Sequence, residues 1–139
     1  MKKVFIETSV FIRLFTQDDS RKFGESKILF DKINSGDIRP YVSGVVIQEI
    51  LYILTRLYKF PKLGVIADLQ KILQLRNVVL IEKTDTEKAL LLFKRHAIKY
   101  GDCLISTQVP KSVVLISYDS DFGKIKGLKV STLSDVISK

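Results

Sequence analysis

The sequence predicts an α/β protein built on a mainly parallel sheet, and two observations carry that prediction. Short apolar runs, KVFIE at 3–7, VVLIE at 78–82 and VVLIS at 113–117, are each bounded by polar residues. Strands covered on both faces read this way, because both sides of the pleat meet apolar neighbours. Between the runs lie longer segments with apolar residues at three- and four-residue spacing, as in helices with one buried face. Strands alternating with helices give parallel strands joined by right-handed crossovers.

Taken in order, residues 3–7 form the first strand, and a short helix comes directly after it over 9–16. Residues 19–35 place Phe23, Ser26, Leu29, Phe30 and Ile33 on one helical face. A short extended piece fits 40–42. Residues 43–59 align Val46, Ile47, Ile50, Leu51, Leu54 and Leu57, again one face. Pro61 suits a first helical position, where a missing N–H costs nothing, and opens a helix to about residue 76. The run 78–82 is a strand. Thr84 and Glu87 have capping-box spacing and open a helix that extends to about Tyr100. A short helix comes after Gly101. The run 113–117 is a strand, 129–133 alternates and suits an edge strand, and 134–138 is a closing helix. No repeat, low-complexity tract or linker interrupts this pattern, so the 139 residues read as one domain over 1–139.

Composition narrows the function. Hydrophobic residues at 46% and charged residues at 27% exclude a disordered chain. Lys and Arg total 23 against 15 Asp and Glu, a net charge of +8 that favours an anionic partner. With one Cys and one His, neither an intramolecular disulfide nor a structural zinc site can form. Any metal chemistry must use oxygen ligands and a hard cation. The longest apolar stretch, 43–58, is broken by Gln48, Glu49 and Arg56, so no membrane span is expected. The start MKKVFIETSVFI has the lysines of a signal peptide, but Glu7 interrupts it and no small-residue cleavage site comes after it. A cytoplasmic protein is the expectation. Gly-rich nucleotide-binding loops and the nucleophile elbow G-x-S-x-G are absent from the sequence.

Ligands of parallel sheets bind beyond the C-terminal strand ends, and acids stand there. Glu7 ends the first apolar run, and Asp119 and Asp121 come after the run 113–117 in YDSDF. Asp102 opens a helix after Gly101, and Glu49 lies in a helix among Val45, Val46, Tyr52 and Ile53. Each has a local explanation. Asp102 suits an N-cap, Asp119 and Asp121 a turn, and Glu7 a solvated strand end. For Glu49 it is an ion pair with Lys or Arg, because a carboxylate among apolar neighbours costs several kcal/mol unless it is paired or bound to a cation. Together they suit a divalent cation, which removes their mutual repulsion, polarises a phosphoryl oxygen and lowers the pKa of bound water. Acids, hard metal and basic surface point to phosphodiester hydrolysis.

Four stretches, VFIETSVFIRLF, VSGVVIQEILYIL, KYGDCLIS and LISYDSDFGKI with GLKV, resemble the PIN domain family, and within it the VapC-type ribonuclease toxins. The resemblance covers nearly the whole chain. It implies a five-stranded sheet in the order 3-2-1-4-5 flanked by helices, with acids holding Mg²⁺ or Mn²⁺. The family's four acids fall on Glu7, Glu49, Asp102 and Asp119, with Asp121 as an additional one. Thr8, Ser9 and Ser117 match hydroxyls that orient the carboxylates or water. It also implies an RNA substrate, a homodimer and a protein antitoxin. The family's first acid is normally Asp, in DTN or DTS, whereas this chain has Glu7 in ETS. The extra methylene moves the carboxylate by about 1.5 Å, against the strict geometry of Mg²⁺. Two readings therefore stand: a metal-dependent endoribonuclease, or a weakened RNA-binding or complex-forming module of the same fold. A purely structural role for the acids is a third.

Arg13, on the helix after Glu7, is the candidate RNA contact among several cations near the site, with Lys94, Arg95, Lys99, Lys111, Lys124 and Lys126. His96 reads as a packed or surface helix residue and Cys103 as a small buried one. Phe11, Phe15, Tyr52 and Tyr58 fall at packing spacings, and the apolar faces of 45–75 suit self-association.

Overall fold

The computed structural model describes residues 1–138. Five strands, β1 (Lys2–Ile6), β2 (Ile38–Ser43), β3 (Val79–Ile81), β4 (Val114–Ile116) and β5 (Val130–Ser131), form one sheet in the order β3-β2-β1-β4-β5. Every adjacent pair is parallel. The central position of β1 explains its composition: Val4, Phe5 and Ile6 are wholly buried. Leu80 of β3 and Val130 of β5 are exposed at the two edges.

Seven α-helices are described: α1 (Thr8–Thr16), α2 (Ser20–Asn34), α3 (Gly44–Tyr52), α4 (Lys62–Leu73), α5 (Thr86–Arg95), α6 (Tyr100–Gln108) and α7 (Leu133–Ile137). α1 packs on α2 and α3, α2 on α7, α3 on α4 and α6, and α5 on α6. Side-chain caps fix several starts. Asp19 accepts from the Lys22 N–H at 3.1 Å, and Ser43 from the Val46 N–H at 3.2 Å.

Several boundaries differ from expectation. The helix expected over 43–59 ends at Tyr52 and passes into a π-helical turn, Ile53–Leu57. There the Tyr58 N–H donates to the Ile53 carbonyl at 3.1 Å and the Phe60 N–H to the Leu54 carbonyl at 2.9 Å. The apolar spacing runs through this turn, which hides it from periodicity. Pro61 precedes α4 as its N-cap instead of occupying the first helical position. Asp85, not Thr84, caps α5 by accepting from the Lys88 N–H at 3.0 Å. α5 stops at Arg95, not Tyr100; His96 has extended backbone outside the helix, and α6 begins at Tyr100. Asp102 is therefore the third residue of α6, with Lys99 as the N-cap. The piece expected at 40–42 is the full strand β2, and that expected at 129–133 shrinks to β5.

Candidate metal centre

β1 and β4 lie side by side at the centre of the sheet, where the strand order reverses, and the chain leaves both at the same end. Glu7 is the first residue after β1. Its N–H extends the ladder to the Ile116 carbonyl at 3.1 Å, and its side chain caps α1. Glu7 is 5% exposed, so it is not a solvated strand end. One oxygen, Oε1, accepts from the Ser9 N–H at 3.0 Å and from the Ser9 and Ser117 hydroxyls, both at 2.6 Å. The same hydroxyl oxygens accept backbone N–H groups beyond β4: Tyr118 to Ser9 Oγ and Asp119 to Ser117 Oγ, each at 2.9 Å. The longer glutamate is thus folded back and clamped between the exits of the two strands.

Glu49 enters from α3. Its Oε1 accepts from Thr8 Oγ1 at 2.5 Å. The ion pair that would explain Glu49 locally is not among the described salt bridges. Glu49 Oε2 instead lies against Gly101, where an added Cβ would stand only 2.6 Å away. Burial pushes the Glu49 carboxyl up, the Thr8 hydrogen bond opposes, Glu7 adds to the rise and Lys99 opposes it. The glycine at the start of α6 therefore makes room for a carboxylate from α3.

Asp102 projects from the first turn of α6 and is 1% exposed. Its Oδ2 is buried with no hydrogen-bond partner. Burial pushes its carboxyl up to about 7; Lys99 works against the shift, while Glu7, Asp119 and Glu49 reinforce it. An orphaned buried carboxylate oxygen is costly, and helix capping does not account for it, since Lys99 holds the cap position. Asp119 does make the expected turn: its Oδ1 accepts from the Asp121 N–H at 2.9 Å and opens the 3₁₀ turn Ser120–Lys124. Even so, Asp102, Asp119 and Asp121 each offer an oxygen within 4.8 Å of the others. Asp121 is also paired with Lys124 Nζ at 2.9 Å.

All five acids foreseen from sequence therefore gather at one end of the sheet. Glu7, Glu49 and Asp119 line a cleft of about 640 Å³, together with Thr8, Ser9, Arg13 and Lys99. Asp102, Asp121 and Ser117 are not on its wall. Lys99, one of the cations expected near the site, does line the cleft. Two features escaped sequence reasoning, the close approach at Gly101 and the bond between Tyr58 and Asp18. Gly101 was visible only as a helix start, and nothing in the sequence shows the Glu49 carboxylate that lies against it. Tyr58 packs as expected, its ring 5.6 Å from that of Phe60, but its hydroxyl also donates to Asp18 Oδ2 at 2.9 Å, which the sequence did not signal. The donor set is all oxygen, the acids repel one another, and one buried oxygen lacks a partner. This chemistry fits a hard divalent cation such as Mg²⁺ or Mn²⁺.

An α/β sheet of this order carrying acids at its switch point defines the class of protein: the chain belongs to the PIN domain family, whose profile matches residues 4–128. Solved structures agree on the fold. VapBC2 from Rickettsia felis, bound to a DNA fragment from its promoter, is similar with TM-score 0.67 and 14% identity, covering 94% of this chain and 98% of that one. VapC20 from Mycobacterium tuberculosis, a sarcin–ricin loop cleaving toxin, gives 0.66 and 19%, covering 87% and 93%. VapBC-1 from nontypeable Haemophilus influenzae gives 0.64 and 18%, covering 95% and 98%. No curated protein matches the chain by sequence.

Proposed function

We propose that the chain, as one domain over 1–139, is a metal-dependent endoribonuclease and the toxin of a toxin–antitoxin pair. Lys139 lies outside the described residues. The observation that carries the proposal is the buried, unpartnered Oδ2 of Asp102 within a group of five carboxylates. Glu7, Glu49, Asp102, Asp119 and Asp121 are the proposed ligands. Ser9, Ser117 and Thr8 hold Glu7 and Glu49 in place. Bound Mg²⁺ or Mn²⁺ would supply Lewis acidity and a water of lowered pKa. The chain's own part is to hold the acids together at and beside the cleft and to bring an anionic strand to them through Arg13 and Lys99 on the wall.

The fold neighbours support the partners. Two are VapBC complexes and another is FitAB on a DNA fragment, consistent with an antitoxin, and VapC20 supports RNA as substrate. Exposed Tyr52, Leu57, Phe60 and Leu63 support a homodimer. A cytoplasmic location belongs to the same reading. No described helix is long and apolar enough to cross a membrane.

One observation favours the weakened module instead: Glu7 Oε1 already accepts three hydrogen bonds, leaving Oε2 as its less committed oxygen. Cleavage of a mixed RNA pool with Mn²⁺, Mg²⁺ or EDTA, comparing the chain with Glu7→Asp and Asp119→Asn, separates the two. Metal-dependent cleavage that disappears in Asp119→Asn supports the nuclease. Cleavage by Glu7→Asp alone supports the module. Cleavage that persists in EDTA rules out the metal mechanism.

A further inference from the structure

At the rim of the cleft, four side chains from two parts of the chain form a network that the metal chemistry does not use. Arg13, in the last turn of α1, lines the cleft, and its Nη1 donates to Asp18 Oδ1 at 3.0 Å. Thr16 Oγ1 lies 2.9 Å from the same oxygen. Tyr58 donates its hydroxyl to Asp18 Oδ2 at 2.9 Å, across 40 positions of sequence. Both Asp18 oxygens are thereby committed. The hydrogen bonds from Thr16 and Tyr58, with Arg13, hold the Asp18 carboxyl below its usual range, so it stays charged.

The backbone is bent at both ends of this network. Gln17 has φ 56° where α1 ends, which turns the chain so that Asp18 faces back towards Arg13. On the other side, the π-helical turn Ile53–Leu57 adds a residue to the coil, rotating the chain beyond it by about 100°. Tyr58 comes directly after this turn, and Lys59 has φ 56°. Two departures from regular helix thus bring Asp18 and Tyr58 together.

The geometry points to a phosphate-binding position at the cleft rim, where Arg13 contacts an RNA backbone phosphate and Asp18 and Tyr58 are its positioning residues. A guanidinium has five N–H donors in a planar fork. Among the described residues Arg13 commits one nitrogen to Asp18, leaving the rest of the fork for a phosphate. Arg13 is six residues beyond Glu7, about 9 Å along the helix axis, which suits a phosphate flanking the scissile one. A plain surface ion pair would leave the tyrosine hydroxyl without a purpose, and such pairs contribute little to stability.

The inference rests on the reading of RNA as the ligand, and its test is binding in EDTA, where nothing is cleaved. A labelled single-stranded RNA is titrated at several salt concentrations by fluorescence anisotropy. Arg13→Ala is expected to reduce the salt slope by about 0.7, the value of one phosphate on a single strand. Tyr58→Phe is expected to weaken binding roughly threefold, the size of one modest hydrogen bond, and to do nothing further once Arg13 is alanine. An unchanged slope in Arg13→Ala, or an equal effect of Tyr58→Phe in both backgrounds, overturns this inference while leaving the nuclease reading intact. If the unaltered chain binds no RNA, both fail together.

Discussion

The two halves of the acidic site are built differently. On the Glu7 side, hydroxyls and an amide from both strand exits satisfy the carboxylate, and Thr8 ties Glu49 to the same frame. On the Asp102 side, three carboxylates approach one another; Asp119 accepts one backbone N–H and Asp121 pairs with Lys124, but a buried oxygen of Asp102 has no partner. The first half is complete as a piece of protein. The second leaves a buried oxygen open, as the proposed cation would require. A carboxylate can thus serve as framework or as ligand according to how many donors the fold aims at it.

The sharpest way to break this contrast is to remove a charge from the unsatisfied half. Asp102→Asn should lower metal-dependent cleavage on the order of a thousandfold, several kcal/mol of lost metal stabilisation. The same change should raise the melting temperature in EDTA at pH 8, because an amide has no charge to desolvate. A lower melting temperature in EDTA would show that the carboxylate has a partner after all.

Acidity gives the next largest effect. Asp102 holds its proton up to about pH 7 in the fold, against 3.8 as its ordinary value. Between those values the folded chain binds a proton that the unfolded chain has released, so metal-free stability falls as pH rises from about 4 to about 7 and levels off above. Glu49, also raised, acts in the same direction. Asp18, lowered, contributes stability that is lost only below about pH 4. Melting curves from about pH 5 to 8 in EDTA should therefore slope downwards, and Mg²⁺ should flatten them, since ligation needs the ionised form. A flat profile in EDTA would contradict the burial argument.

Gly101→Ala sharpens the boundary between the halves, because its Cβ would meet Glu49 Oε2 at 2.6 Å. Metal affinity by calorimetry should fall about tenfold, as for other displaced ligand supports. On local propensity alone, alanine would stabilise the helix by about 0.5–1 kcal/mol. Ser117→Ala, on the satisfied side, removes the hydroxyl that donates to Glu7 and accepts from the Asp119 N–H, and should cost about 1.5 kcal/mol in chemical unfolding. Smallest is Lys124→Ala. It frees Asp121 from an exposed pair and should change stability by less than about 0.5 kcal/mol.

Much of this was legible in the sequence, for physical reasons. β1 and β4 are buried on both faces and so spell themselves as apolar runs. The acids beyond them stand out because a basic chain has few. The sheet order came from resemblance, since composition does not say which strand lies beside which. The break at His96–Lys99 was missed because it contains neither glycine nor proline, and the π turn because its apolar spacing continues that of α3. Two cap formers, Thr84 and Asp85, stand side by side, and only geometry chooses between them. Glu49 was legible in location, and its local alternative, an ion pair, gives way to a hydroxyl from Thr8 and the bare backbone of Gly101.

The sheet order also bears on how such a protein is made. β4 sits beside β1 although more than a hundred residues separate them, and the acids run from Glu7 to Asp121. Chains emerge from the ribosome N-terminus first, and domains fold as units. While β4 is still being translated, Glu7 has no Ser117 to hold it and Asp119 does not yet exist. The group of acids is therefore assembled only after β4 and the turn beyond it have been made and have docked beside β1, so the site cannot exist in a nascent chain that stops short of Asp121.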